Sequence, residues 1–344
     1  MSIDVESTSI RCQFDVYRRR RSGWATCKDK NTLSSSVVVF MLRGLNENWK
    51  QNIAWHLTTK SSDEEDMCKL ILEIIEDVEK IGYKVHGLVS DMGSKNQAVW
   101  RTLGFKVGKD NNTPFITHPV RPDESLYIFP DVPHLLKNLR SALMNNLIIK
   151  VAVTVMQSEG LPCNEVRFRY LEQLEEIQRR YQLKLAPNIT TDILKLSNFN
   201  KMNVAAAAHI FSERTAAALE TLVQLKIIER DALTTAWFLR TVRSWFNVMN
   251  GRYQNDAITP GNKQKKVAII DNFLYLIEHI VIGGAWKPVQ TGIKISALNS
   301  MWIVDKLFKD GYHYFFTSRL NQDALENLFS TLRRHGNVNP TALQ

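Results

Sequence analysis

Apolar and polar positions alternate most clearly between residues 37 and 103. Residues 37–42, Val-Val-Val-Phe-Met-Leu, form a short β-branched run that predicts a strand. Turn chemistry follows around Gly44 and Asn46, and residues 49–57 resume strand-like content, so the pair predicts an antiparallel hairpin. Met67, Leu70, Ile71, Ile74, Ile75, Val78 and Ile81 then recur at helical spacing. Ser62 with Glu65 forms a capping box, acids fill the first turn, and Gly82 stands where the helix should stop. Residues 84–90 read as a buried strand that delivers Asp91 at its C-terminal end, and residues 95–103 as a short helix. Leu126 to Phe129 is another strand, followed by a helix to about Leu143, with Pro133 in its first turn and Asp131 as a cap. The order strand, strand, helix, strand, helix, strand, helix predicts an α/β domain with a mixed sheet.

The pattern changes after residue 145. Helical periodicity dominates residues 165–183, 204–225, 232–249 and 267–281, with a polar break at 256–266, and predicts an all-helical region. Residues 321–334 return to an amphipathic helix with Leu325, Leu328, Phe329 and Leu332 on one face and basic residues at its end. Residues 1–35 read as polar and irregular, with a block of arginines from Arg18 to Arg21. Four segments are expected: a basic N-terminal stretch over 1–35, an α/β part over 36–145, a helical insertion over 146–310, and a returning helix over 311–344.

Composition narrows the class. The 344 residues include 44 Lys and Arg against 35 Asp and Glu, a net charge of +9, with 44% hydrophobic and 23% charged residues. These proportions exclude a wholly disordered chain, and the surplus of cations leans towards a nucleic-acid partner. No apolar run is long enough to span a membrane, and the opening Met-Ser-Ile-Asp-Val-Glu-Ser does not read as a secretory leader. Cys12, Cys27, Cys68 and Cys163 show neither metal-ligand spacing nor a disulfide framework, which fits a reducing compartment.

The chemistry left to the chain is that of carboxylates, because a Gly-rich phosphate loop, a serine nucleophile elbow and a zinc cluster are all absent from the sequence. Asp91, at the carboxyl end of a buried strand, is either a ligand-binding acid or the cap of the next helix. Asp131, in Asp131-Val-Pro-His134, is read as a cap. Asp323 and Glu326 sit on neighbouring rows of the last helix, which by itself describes a solvated face. The apolar Leu325, Leu328 and Phe329 turn Glu326 towards the core side.

Four motifs carry a resemblance. They are Arg43-Gly-Leu-Asn-Glu-Asn-Trp-Lys-Gln51, Val89-Ser-Asp-Met-Gly-Ser-Lys-Asn-Gln-Ala-Val-Trp100, Asp131-Val-Pro-His-Leu-Leu-Lys137, and Ser318-Arg-Leu-Asn-Gln-Asp-Ala-Leu-Glu-Asn-Leu-Phe329 followed by Asn339-Pro-Thr341. In this order and spacing they resemble the P-element transposase family, which includes the THAP-containing transposase-like proteins. The resemblance implies an RNase H-like mixed sheet interrupted by a helical insertion that binds a guanine nucleotide. It implies a DNA transposase in which Asp91 and Glu326 are the second and third catalytic, metal-binding carboxylates. Asp15 is taken as the first, on the strand ahead of the Arg43 motif, and Asp131 stays structural. Such a site uses Mg²⁺ or Mn²⁺, two ions roughly 3.5–4 Å apart that activate a water or a 3′-hydroxyl. Carboxylate oxygens are the donors that hard cations prefer.

For the nucleotide, the resemblance points to Lys184, Asn203, Val204, Phe246, Asn247 and Asn250, with Asp323 close by. Two departures weaken GTP binding: Asn247 stands where the family presents an acid to guanine, and Asn203 replaces a lysine. A plain bundle that packs Trp245 and Phe246 is the other reading of this stretch. The expected partners are DNA at transposon ends and targets, a guanine nucleotide, and further copies of the chain if it is active, in the nucleus and away from membranes. The sequence lacks the Cys–Cys–Cys–His array of a THAP domain and stops soon after Asn-Pro-Thr, so a truncated copy is expected. The alternative is an inactive transposase relic that binds DNA, a nucleotide or a protein.

Overall fold

A computed structural model describes residues 1–9, 13–15, 20–22, 34–59, 64–110, 112–195 and 203–334. The chain forms two compact units, one of residues 1–131 with 298–344 and one of residues 132–297. The expected junctions near 145 and 310 thus move to 131 and 297, because the helix at Val132–Asn146 buries its apolar face inside the second unit.

The first unit is built on a six-stranded mixed sheet. Its strands are β1 (Ser2–Ser9), β4 (Ser36–Arg43), β5 (Lys50–Thr58), β6 (Gly87–Ser90), β9 (Phe115–Thr117) and β10 (Ser125–Pro130), in the order β5-β4-β1-β6-β10-β9. β1 runs parallel to β6, and β6 parallel to β10, while β4, β5 and β9 join antiparallel. Between them lie the short pairs β2 (Gln13–Asp15) with β3 (Arg20–Ser22) and β7 (Lys106–Val107) with β8 (Asn112–Thr113). The expected irregularity of residues 1–35 is therefore corrected, since Ser2–Ser9 is a central strand. Its alternation is masked by acids and hydroxyls at positions that a surface strand would also use, and only Ile3 and Val5 are aliphatic.

The helix α1 (Glu64–Lys80) buries Cys68, Ile71, Ile75 and Val78. It gives way to Gly82 at φ +92°, a left-handed turn that favours glycine. The expected capping residue Ser62 lies outside the described residues. After β6 the short helix α2 (Ser94–Thr102) turns Val99 and Trp100 inward. Gly87 in β6 has no room for a side chain, since a Cβ there would run into the Phe129 ring.

The second unit holds α3 (Val132–Asn146), α4 (Val153–Ser158), α5 (Arg169–Arg179), α6 (Val204–Ile210), α7 (Glu213–Gln224), α8 (Ala232–Met249) and α9 (Lys263–Glu278). The insertion is predominantly helical, with one correction. β11 (Ile148–Val151) pairs antiparallel with both β12 (Glu165–Arg167) and β13 (Ile280–Ile282), so a three-stranded sheet stands where helix was expected at residues 165–167. The expected single helix over 204–225 is broken as well, because the Ser212 hydroxyl accepts the Thr215 N–H at 3.1 Å and caps a new helix. At the core of this unit Trp245 is fully buried, and its ring stacks on Phe273 with centroids 4.8 Å apart.

The helix α10 (Pro288–Lys309) enters the first unit from Leu298 onward. Its Asn299 amide donates to the carbonyls of Pro114 and Ile128, at 2.9 and 2.7 Å, and so ties the helix to β9 and β10. Lys306 reaches Glu124 at 2.5 Å. Burial works against the Glu124 charge, but the hydrogen bonds from Lys306 and Arg121 outweigh it and lower the carboxyl from an ordinary 4.5 to about 2. A folded-state value below the unfolded one stabilises fully above the unfolded pKa and is lost as pH falls towards the folded value. Lys306→Met is therefore expected to melt below wild type at pH 6, with the gap closing between pH 4.5 and about 2, read from thermal melts across that range.

Candidate carboxylate site

Three neighbouring parallel strands and one helix turn position the acids. Directly paired residues of a ladder share a face, as do residues two apart on a strand. Asp4 on β1 pairs with Val89 on β6 and with Met41 on β4. Phe129 on β10 also pairs with Val89. Asp91 and Asp131 lie two residues beyond Val89 and Phe129, and the Asp131 N–H continues the ladder to the Ser90 carbonyl at 3.0 Å. Asp4, Asp91 and Asp131 thus fall on one face of adjacent parallel strands, Asp91 and Asp131 just past the carboxyl ends of β6 and β10 and Asp4 where the ladder of β1 with β6 stops.

The last helix, α11 (Asp323–Arg334), covers that face. Its Ala324, Leu325 and Phe329 pack with Val39 and Met41 of β4, with Leu328 and Leu332 at the margin. Glu326 lies one turn into this helix and is half-buried. A carboxylate oxygen of Glu326 and one of Asp131 lie within 4.8 Å of each other. The start of the helix is held by Arg43, whose Nη1 donates to the Asn321 carbonyl at 2.9 Å, and by Arg319, whose Nη1 donates to the Leu45 carbonyl at 2.8 Å.

Each acid has its own setting. Asp4 is fully buried and Asp131 is 1% exposed. Asp131, expected to cap the following helix, accepts the Gln322 N–H on Oδ1 at 2.8 Å and so ties β10 to the turn before α11. Asp91 is half-buried, and its Oδ1 accepts from the Gly93 N–H at 2.8 Å and the Asn96 amide at 2.7 Å. Gly93 is needed for that closeness, since a Cβ there would stand 2.8 Å from Oδ1. Burying carboxylates in a sheet is costly unless hydrogen-bond donors or cations offset them. A cluster of hard oxygen donors, with a buried Gln322 Oε1 beside it that has no hydrogen-bond partner among the described residues, fits a divalent cation such as Mg²⁺ or Mn²⁺.

The sequence expectations meet this geometry unevenly. Asp91 and Glu326 both reach the acidic face. Asp15 does not lie on the strand that was expected to carry the first acid. It ends β2, which pairs only with β3 among the described residues, while the strand beside β6 is β1. Asp4 and Gln322 were missed. The signal for Asp4 was present, an acid between two aliphatic residues, Ile3 and Val5, but its neighbours hid the strand.

Of the residues expected to meet a guanine nucleotide, Lys184 and Asn247 are exposed, Asn203, Val204 and Asn250 border helices, and Phe246 is buried. The Asn203 side chain caps α6 by accepting the Ala206 N–H at 3.1 Å. Asp323 opens α11 in the first unit. The Asn203 oxygen is thus used as a helix cap and the Phe246 ring as core, while Lys184 and Asn247 stay exposed.

Comparison with known proteins places these features in a family. The family described as TNP-like matches in three parts: its RNase H N-terminal domain at residues 13–104, its GTP-binding insertion domain at 133–258, and its RNase H C-terminal domain at 318–344. The Transposable element P transposase of Drosophila melanogaster is 24% identical over 326 residues, covering 90% of this chain and 40% of that protein. DNA transposase THAP9 of Homo sapiens is 24% identical over 227 residues, covering 65% of this chain and 24% of that protein. The chain therefore spans less than half the length of either relative. The solved Drosophila P element transposase strand transfer complex has the same fold, with a TM-score of 0.83 at 20% identity over 99% of this chain and 74% of that one.

Proposed function

The chain belongs to the P-element transposase family, and from that premise we propose that it cuts and joins DNA strands in a divalent-metal-dependent reaction at the acidic face of its RNase H-like sheet. The observation that carries this reading is the placement of Asp4, Asp91 and Asp131 on one face of three parallel strands, with a Glu326 carboxylate oxygen on α11 within 4.8 Å of one of Asp131. Asp4, Asp91 and Glu326 would hold the cations, in the roles that the family resemblance gives to its three acids. Asp4 takes the first role in place of Asp15. When bound, the cations supply activation of an attacking hydroxyl and stabilisation of the leaving oxygen.

The chain's own groups supply position and charge. The Gly93 N–H and the Asn96 amide hold Asp91 Oδ1 and leave its carboxylate a single orientation. Burial of Asp4 keeps bulk water from competing for it. Asp131, bound to the Gln322 N–H, fixes the approach of α11. No step is assigned to guanine nucleotide, because Asn203 and Phe246 are committed to a helix cap and to the core. DNA is the proposed partner, in an assembly with further copies of the chain, and the nucleus is where it would meet it.

The test is incubation of the purified chain with supercoiled plasmid in Mn²⁺, with and without chelator. Nicking that the chelator removes is the expected result. DNA that is retained by the protein in Mn²⁺ but stays intact would overturn the reading and favour a binding role without cleavage.

A further inference from the structure

Gln322 stands where three supports of the acidic face meet. Its side-chain Nε2 donates to the Val5 carbonyl at 2.8 Å, one residue after Asp4. Its backbone N–H donates to Asp131 Oδ1 at 2.8 Å. Its own carbonyl accepts from the Glu326 N–H at 2.9 Å and so closes the first turn of α11. The residue is 1% exposed.

We propose that Gln322 is a positioning residue that sets Glu326 against the strand of Asp4 and thereby sets the affinity of the cluster for a divalent cation. The inference rests on the reading of this face as a metal-dependent site. Apolar packing of Ala324, Leu325 and Phe329 chooses which face of α11 turns inward, but it is non-directional and leaves the helix able to slide. A slide of one residue moves a helical side chain by about 1.5 Å, whereas metal–ligand distances tolerate only about 0.2 Å. Hydrogen bonds supply the missing register. The ladder of β1 with β6 ends at Asp4, and the carbonyl of the next residue, Val5, is taken by the Gln322 amide. The helix that carries Glu326 is thereby pinned to the strand that carries Asp4.

The experiment uses the full chain and Mn²⁺ as the probe. Gln322→Met keeps the volume and removes the donor. A folded variant is expected to bind Mn²⁺ about 10–100-fold more weakly in an electron paramagnetic resonance titration, the usual cost of losing an outer partner of a metal ligand. Amide exchange at Ala324 to Glu326 is expected to speed up even without metal. The residual bound-Mn²⁺ signal of the variant is also expected to change shape relative to wild type, because a displaced Glu326 alters the ligand geometry, a readout that a change in stability alone would not move. A folded Gln322→Met that binds Mn²⁺ as wild type does, or whose bound-ion signal keeps the wild-type shape, would overturn the proposal. Wild type that fails to bind Mn²⁺ at all would overturn the metal reading of the site itself, and this inference with it.

Discussion

Asp4→Asn is expected to abolish Mn²⁺ binding and DNA nicking, whereas Asp15→Asn leaves both close to wild type. The contrast follows from topology. Asp4 lies on the central strand that runs parallel to β6, level with Val89, and Asp91 is two residues further on the same face. Asp15 ends a two-stranded hairpin outside the six-stranded sheet. Replacing one carboxylate by an amide removes an anionic oxygen from the cluster. Because loss of an outer partner alone typically weakens a metal site by about 10–100-fold, loss of a ligand should exceed about 100-fold. Stability separates this outcome from misfolding. Asparagine keeps the shape of aspartate at this fully buried position, so melting without metal shows directly whether Asp4→Asn still folds. With Mn²⁺ at about a hundred times its dissociation constant, wild type should gain about 2.7 kcal/mol and the variant nothing. Melting curves with and without Mn²⁺ read both effects. An Mn²⁺-induced shift retained in Asp4→Asn and lost in Asp15→Asn would return the first acid to the hairpin.

That contrast also marks how far the sequence could be read. β4, β6 and β10 were legible because strands buried on both faces leave short apolar runs, and α1, α2, α3 and α11 because a helix that buries one face writes a period of 3.6 into the residues. α8 was legible for the same reason, with Ala236, Leu239, Val242 and Trp245 all turned inward. β1 was not, because a central strand that carries a buried acid breaks the apolar pattern at the position that matters for chemistry. Its register depends on β4 and β6, which are distant in sequence. The small sheet of β11, β12 and β13 was hidden for another reason: its strands span three or four residues, too few for a period to show. Glu326 stood out as an acid among apolar neighbours, whereas Gln322 became visible only through bonds to Val5 and Asp131, more than 190 residues away in the chain.

Phe329→Ala is expected to remove about 3–5 kcal/mol of stability, the usual cost of emptying an aromatic site in a core. The ring is 1% exposed and belongs to a compact cluster with Val39, Met41, Ala324 and Leu325. A void there has few neighbours able to collapse into it, since Val39 and Met41 are fixed in a strand paired on both sides. Phe329→Leu, which keeps most of the volume, should cost only about 1 kcal/mol. The substitution also reaches the acidic face, because Phe329 lies three residues from Glu326 on α11 and its packing presses that turn towards β1 and β4. Urea unfolding measures the first effect, and an Mn²⁺ titration well below the unfolding midpoint measures the second. The two should fall together in Phe329→Ala and be nearly spared in Phe329→Leu. Mn²⁺ affinity that survives in the folded fraction of Phe329→Ala would mean that the hydrogen bonds of Gln322, Arg43 and Arg319 alone hold Glu326 in place, with the apolar contact serving stability only.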